Sequence, residues 1–461
     1  MGSAIVSGAR QNLSDPRRAT RFVFSECSYD RDNGTASLAY RFDDGAEMVE
    51  RITFPDAPWP DSADSQQAFR AALEILHLVA GVSYYKAGLC SRLEFHEPLA
   101  ARAAGKFLQT LYVEGLAEFA WVNKLDVESR VRFPAPEGGG ADHAISLKLP
   151  DRALVALGGG KDSLVGLELL RQAGVDCSPV CVGDSRLIGE TAEAAGLPLK
   201  RIRRRIAPEL IELNKAGAWN GHVPVTAINS AVLLCAAVLY GYRYIVFANE
   251  RSADQATLVS ADGKAINHQY SKGSAFEAAF RQLISSRVSP DIEYFSILRP
   301  YSELGIVRQF SRLEQYHGVY SSCNRNFHIE GSRIRGRWCG NCPKCRFAAL
   351  TLALYLPPQK VRQIMGGDLL DEPGQADGFR ALCALGRNKP FECVGESGES
   401  RAAMRELAGR PEWSGHSVVK ALQPELGNVQ IPAMKSLLQP SGAHFIPRRL
   451  ADVIGLPGGA R

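Results

Sequence analysis

The stretch Leu157-Gly158-Gly159-Gly160-Lys161-Asp162-Ser163 decides the fold. An apolar run, Ala153 to Leu157, precedes it and a helix-patterned run, Leu164 to Leu170, follows, so three glycines stand at a strand-to-helix turn. Without side chains, glycines let backbone N–H groups approach an anion closely, and the first turn of the next helix adds unpaired donors and a positive dipole end. Lys161 contributes a charge, Asp162 a magnesium ligand and Ser163 a hydroxyl. The plain alternative is a turn that closes a strand–helix unit and binds nothing. Lys-Asp-Ser in the same turn favours nucleotide binding instead.

The spacing of a Walker loop, G-x-x-x-x-G-K-[ST], is absent, and so is G-x-G-x-x-G. The stretch resembles the S-G-G-x-D-S loop of the ATP pyrophosphatases, which split ATP to AMP and pyrophosphate to adenylate a substrate. The first Ser of that loop is Gly158 here, so backbone donors have to replace one phosphate-facing hydroxyl.

From Asp151 onward strands and helices alternate. The expected strands are Ala153 to Leu157, Ser178 to Val182, Lys200 to Arg204, Tyr244 to Ala248 and Glu293 to Leu298. Such a βαβ series predicts an α/β fold with a doubly wound parallel sheet. Ligands of these sheets lie beyond the carboxyl ends of the strands. There the loops Gly158 to Ser163, Gly183 to Arg186 and Asn249 to Asp254 would gather.

Residues 20 to 54 read as a small antiparallel sheet. Ala36, Leu38, Tyr40 and Phe42 alternate with smaller or polar residues, and Asn33-Gly34 and Asp43-Asp44-Gly45 are turn signals. Helical spacing covers Ala68 to Val82, and a second helix is expected over Lys106 to Phe119. The expected organisation is an N-terminal α+β domain over 1–137, a nucleotide domain with a cysteine cluster over 151–355 and a helical region over 356–461, with a linker near Pro134 to Ala141.

The cluster is Cys323-x15-Cys339-x2-Cys342-x2-Cys345. Four thiolates suffice for tetrahedral zinc, and Gly340 and Pro343 supply the tight turns. An iron–sulfur cluster uses similar ligands, and a redox pair needs two of them. Zinc is favoured because no cluster-type C-P run follows. A closed four-cysteine site would staple the region and do no chemistry.

Over 461 residues, 45% apolar and 22% charged, the net charge is +5. That balance suits an ordinary soluble protein with anionic metabolites as ligands. Lys200 to Arg205 is the one basic cluster and has no interleaved aromatics, so no nucleic-acid partner is expected. No signal-type apolar core and no membrane-length span are present, which places the chain in the cytoplasm and its eleven cysteines among thiols and metal ligands. The sequence leaves the oligomeric state open.

Three features coincide: the Gly158 to Ser163 loop, Gly221-His222-Val223-Pro224-Val225-Thr226 before an apolar helix, and Cys339-Gly-Asn-Cys-Pro-Lys-Cys345. Together they resemble the 7-cyano-7-deazaguanine synthase branch of the ATP pyrophosphatases, over the middle of the chain. The whole chain, including Gly81 to Lys86 and Lys389 to Glu396, is more similar to the UDP-N-acetylmuramoyl-L-alanyl-L-glutamate epimerases, the MurL family.

The resemblance implies a sheet of the HUP and ATP-pyrophosphatase type. It also implies conversion of the terminal L-Glu of UDP-MurNAc-L-Ala-L-Glu to D-Glu through an acyl-adenylate, with ATP consumed to AMP and pyrophosphate and magnesium required. The N-terminal unit would clamp the substrate. Gly158, Gly159, Gly160, Ser163, Val182 and Gly183 would bind nucleotide, Lys161 would neutralise charge, and Asp162 would hold magnesium. The acid/base candidates are Lys272, His268, Glu303 and Cys393. Cys393 lies between Glu392 and Glu396, whose carboxylates disfavour a thiolate. Two other readings stay open: another adenylating enzyme, acting on a nucleobase or tRNA, and a nucleotide-binding sensor without catalysis.

Overall fold

The computed structural model describes residues 15–135, 144–255, 258–259, 263, 265–326, 334, 336–386, 390, 392 and 394–456. The strands of its main sheet are β1 (Arg21–Asp30), β2 (Thr35–Phe42), β3 (Met48–Thr53), β4 (Arg92–Phe95), β5 (Arg152–Ala156), β6 (Asp176–Val182), β7 (Lys200–Arg205), β8 (Tyr244–Phe247) and β9 (Glu293–Ser296). The helices that matter for the site are α1 (Ala63–Ala80), α2 (Ala117–Asn123), α3 (Lys161–Gln172), α4 (Val225–Tyr240), α5 (Ser274–Arg287), α6 (Glu303–Phe310), α7 (Pro343–Leu352) and α8 (Ser397–Ala408). Among the described residues no helix is long and apolar enough to cross a membrane.

The nine strands form one sheet in the order β9-β8-β5-β6-β7-β3-β2-β1-β4. Strands β9 to β7 are parallel to one another, as the alternation of strand and helix predicts. From β5 the chain steps through β6 to β7, then returns to β5's other side for β8 and β9. The reversal makes a crevice beyond the carboxyl ends of β5 and β8, the place where doubly wound sheets bind ligands.

The N-terminal hairpins do not build a sheet of their own. β3 pairs antiparallel with β7, in the register Ile52↔Arg204. Glu50 lies on the same face as Ile52 because side chains alternate along a strand. That face is covered, so the Arg204 guanidinium meets a fully buried carboxylate, with Nε to Glu50 Oε1 at 2.6 Å and Nη2 to Oε2 at 3.2 Å. A fork-to-fork pair satisfies both ions and fixes the register of the seam.

Alternation also divides the core in two. Leu154, Ile245 and Tyr294 face α1, α4 and α5, whereas Val155, Val246 and Phe295 face α3, α6, α7 and α8. Strands buried on both sides need near-continuous apolar sequence, which Tyr244-Ile-Val-Phe247 supplies. The second helix expected over Lys106 to Phe119 is interrupted at Leu116, giving Gly105–Gly115 followed by α2. This step turns α2, and Glu118 on it, toward the start of α4, where Glu118 meets His222.

Removing one member of the seam pair strands a charge. Glu50→Ala is expected to lower unfolding stability by about 3 kcal/mol or more, read as a lower denaturant midpoint, with Glu50→Gln costing less because it keeps one acceptor.

Candidate functional site

Strand β5 ends on a bond from Leu157 N–H to Val180 C=O at 2.8 Å, after which the glycines leave the sheet. Gly159 has φ +76°, a conformation that disfavours any side chain, and Gly160 caps α3 without a side-chain bond to its first turn. The first turn of α3 therefore has no side-chain cap at the glycine loop. A Cβ on Gly158 would meet nothing within 4 Å, so the space for the missing hydroxyl exists. Ser163 braces the loop, its Oγ accepting from Gly158 N–H at 3.2 Å and donating to Gly160 C=O at 3.1 Å. Gly183, at φ +113°, ends β6 with its N–H on Ile202 C=O, beside Val182.

Lys161 turns inward. Its ammonium lies 2.6 Å from Asp162 Oδ1 and 2.5 Å from Glu303 Oε2, and it is buried. Glu303 opens α6, capped by Ser302, whose Oγ accepts from Gly305 N–H at 3.0 Å. Glu250, on the loop after β8, and Glu399, on α8, complete an acidic group around this one cation. Glu399 Oε1 accepts Leu304 N–H at 3.1 Å, which binds the start of α8 to the start of α6. Gly395 makes that approach possible: a Cβ there would lie 2.9 Å from Glu399 Oε2 and 3.1 Å from Glu303 Cγ.

One ammonium cannot balance this many carboxyls in a place sheltered from water. Asp162, joined by Glu303 whenever that group is ionised, holds Lys161 cationic despite its burial. Burial, opposed by Lys161 but reinforced by Asp162 and Glu250, pushes Glu303 up to about 8. Burial and the Glu399 and Asp162 charges push Glu250 up to about 7, and burial raises Glu399 to about 7. Asp162, one-third exposed, is the carboxylate of the group that reaches the crevice.

Arg299 ties the neighbouring loops together. Its guanidinium bonds Glu277 Oε2 at 2.9 Å and donates to Glu250 C=O at 3.0 Å and Lys272 C=O at 2.5 Å. The loop that carries Lys272 and His268 is thus fixed to the loop that carries Glu250. A second polar group stands there. His222 Nδ1 is 3.5 Å from Glu118 Oε2, and the His222 and His268 rings are 6.4 Å apart.

The four cysteine sulfurs lie within 4.8 Å of one another, with Cys339–Cys345 at 3.8 Å, Cys342–Cys345 at 3.4 Å and Cys323–Cys342 at 4.0 Å. Sulfurs about 2.3 Å from one tetrahedral ion stand roughly 3.8 Å apart, so the set fits a metal. Ser321 N–H donates to Gly159 C=O at 3.1 Å, and Ser321 Oγ accepts Cys323 N–H at 3.0 Å. The cluster is therefore anchored to the glycine loop through one serine.

The crevice brings together Gly158 to Ser163 and Glu303, while His268 and Lys272 stand beside it with His222. Cys393 lies outside the described residues; its neighbour Glu392 is bonded to Asn324 Nδ2. Glu399, Glu118 and Arg299 escaped sequence reasoning. The spacing Glu396-x-x-Glu399 is that of a capping box, which the structure contains. It announces a helix start and says nothing of the distant Glu303.

The chain matches the MurL N-terminal domain family over residues 13–297 and the MurL C-terminal domain family over 319–436. It is similar to curated proteins named UDP-N-acetyl-alpha-D-muramoyl-L-alanyl-L-glutamate epimerase. The protein from Xanthomonas oryzae pv. oryzae (strain MAFF 311018) is 45% identical over 443 residues, 95% of this chain and 97% of the relative. That from Micromonospora sp. (strain ATCC 39149) is 41% identical over 95% of this chain and 98% of its own length. That from Salinispora tropica (strain ATCC BAA-916) is 40% identical, with 95% and 96% covered.

The raised carboxyls have a consequence for stability. Glu250, Glu303 and Glu399 keep their protons in the fold above the ordinary value of 4.5 at which the unfolded chain releases them. The folded state then binds more protons, so ligand-free stability should fall as pH rises from about 5 to 8. Denaturant titrations at several pH values check this, and Glu303→Gln should flatten the slope.

Proposed function

The chain belongs to the MurL family, and we propose that it is an epimerase that converts the terminal L-Glu of UDP-MurNAc-L-Ala-L-Glu to D-Glu in peptidoglycan precursor synthesis. The observation that carries this reading is its similarity, over 95% of its length, to proteins bearing that name. ATP is the proposed co-substrate, split to AMP and pyrophosphate on the glycine loop of an ATP-pyrophosphatase-like sheet.

The chemistry explains why ATP is needed. A proton α to a free carboxylate is hard to remove, because the carbanion would form beside an existing negative charge. An acyl-adenylate has lost that charge, and its carbonyl oxygen can accept the electron pair. Backbone donors at the start of α3 would orient the phosphates, and Lys161, if released from Glu303 as phosphate arrives, would meet their charge. The excess of carboxyls fits magnesium: Asp162, with Glu250 and Glu303 behind it, would hold the ion, which would supply positive charge beside the phosphates. Zinc on Cys323, Cys339, Cys342 and Cys345 would have no open position, and its work would be to fix Ser321 under the glycine loop.

Two measurements test the proposal. Incubation with ATP, magnesium and UDP-MurNAc-L-Ala-L-Glu in deuterated water should give AMP, D-Glu and deuterium at the α-carbon; AMP formation without α-exchange would overturn it. Metal analysis should find about one zinc per chain, and Cys342→Ser should lower both zinc content and melting temperature. Iron in its place would reassign the cluster.

A further inference from the structure

The segment that enters the cysteine cluster is laid against the glycine loop. Ser321 N–H donates to Gly159 C=O at 3.1 Å. The buried Ser321 hydroxyl accepts Cys323 N–H and Asn326 Nδ2, each at 3.0 Å, and donates to Arg337 C=O at 2.6 Å. The Arg337 guanidinium in turn donates to Val319 C=O at 2.7 Å. The backbone on both sides of Ser322 is therefore fixed, and Cys323 belongs to the four-sulfur group.

Ser322 itself is half-buried, and its Oγ lies 3.2 Å from where a Cβ on Gly160 would stand. A side chain at that position would crowd the hydroxyl; glycine leaves it beside the turn. Among the described residues the Ser322 hydroxyl has no hydrogen-bond partner. The other polar groups of the turn are committed. Ser163 gives its one hydroxyl proton to Gly160 C=O and takes Gly158 N–H, and Lys161 is held by Asp162 and Glu303. Tyr320, two residues before Ser322, carries a second hydroxyl without a partner, buried and within the fields of Lys161 and Asp162. In native folds such hydroxyls are completed by a polar ligand or ordered water.

We propose that Ser322 is a phosphate-binding residue, its hydroxyl donating a hydrogen bond to a phosphate oxygen of the nucleotide seated on the glycine loop. The inference rests on the reading, above, that ATP is split on this loop. A phosphate oxygen is a charged acceptor that asks for no proton in return, which suits the one donor that Ser322 has to give. Because Cys323 follows directly, the cluster that anchors the loop also aims this hydroxyl at it. The diphosphate of a UDP-linked precursor offers the same acceptor chemistry, but the closeness of Ser322 to Gly160, where α3 begins, favours the nucleotide.

Isothermal titration of the full-length protein with ATP and magnesium, with magnesium pyrophosphate and with UDP-MurNAc-L-Ala-L-Glu separates the two sources. Ser322→Ala should weaken ATP and pyrophosphate binding at least about 10-fold and leave the UDP precursor within about twofold, with zinc content and melting temperature as in the wild type. ATP affinity within about threefold of the wild type in Ser322→Ala would overturn the assignment. So would a loss confined to the UDP precursor, or a loss of ATP affinity that tracks a loss of zinc. If the wild-type protein binds neither ATP nor pyrophosphate, the nucleotide reading of the glycine loop itself fails and takes the assignment with it.

Discussion

A buried ammonium at the beginning of α3 sets the terms for everything around the crevice. Lys161 is placed there by the turn that makes the glycine loop, and it is too deep to be solvated. An isolated buried charge is costly, so carboxylates must come to it. Asp162 comes from the same turn, but Glu303 comes from a helix on the other side of β8. The pair therefore locks α3 to α6 across the mouth of the site. It also imports more negative charge than one lysine can balance.

That imbalance makes the crevice responsive. Glu303, Glu250 and Glu399 all hold protons more tightly than free carboxyls because each is buried near the others. Any cation that enters would compete with those protons. Glu399 extends the coupling to the C-terminal part of the chain, since it accepts the backbone N–H of Leu304 while its helix begins beside Glu303. A displacement of Lys161 would consequently be felt in α8.

The supporting framework is made of few, well-satisfied contacts. The Glu50–Arg204 pair joins antiparallel hairpins to parallel strands, and Arg299 fixes two loops with one guanidinium. Ser321 joins the cysteine cluster to the glycine loop in the same manner. Each contact lies between segments far apart in sequence. Together they hold the site from both faces of the sheet.

The local sequence determined the parts whose physics is local. Largely apolar runs of strand length at β5, β6, β8 and β9, three glycines before a helix, Asn33-Gly34 at a hairpin and two x2 cysteine spacings each dictate their own geometry within a few residues. Whatever depends on which segments meet was decided by tertiary structure alone. Nothing in Met48 to Thr53 says that β3 will pair with β7 and extend the parallel sheet, because strand pairing is set by burial and register, not by the strand's own sequence. Glu303 opens α6, yet its place on Lys161 depends on β9 returning beside β8. Glu399 and Glu118 carry no signal of their partners in their local sequence, and Lys86 stands out only as the end of a helix; the packed fold gives all three their partners across long stretches of chain.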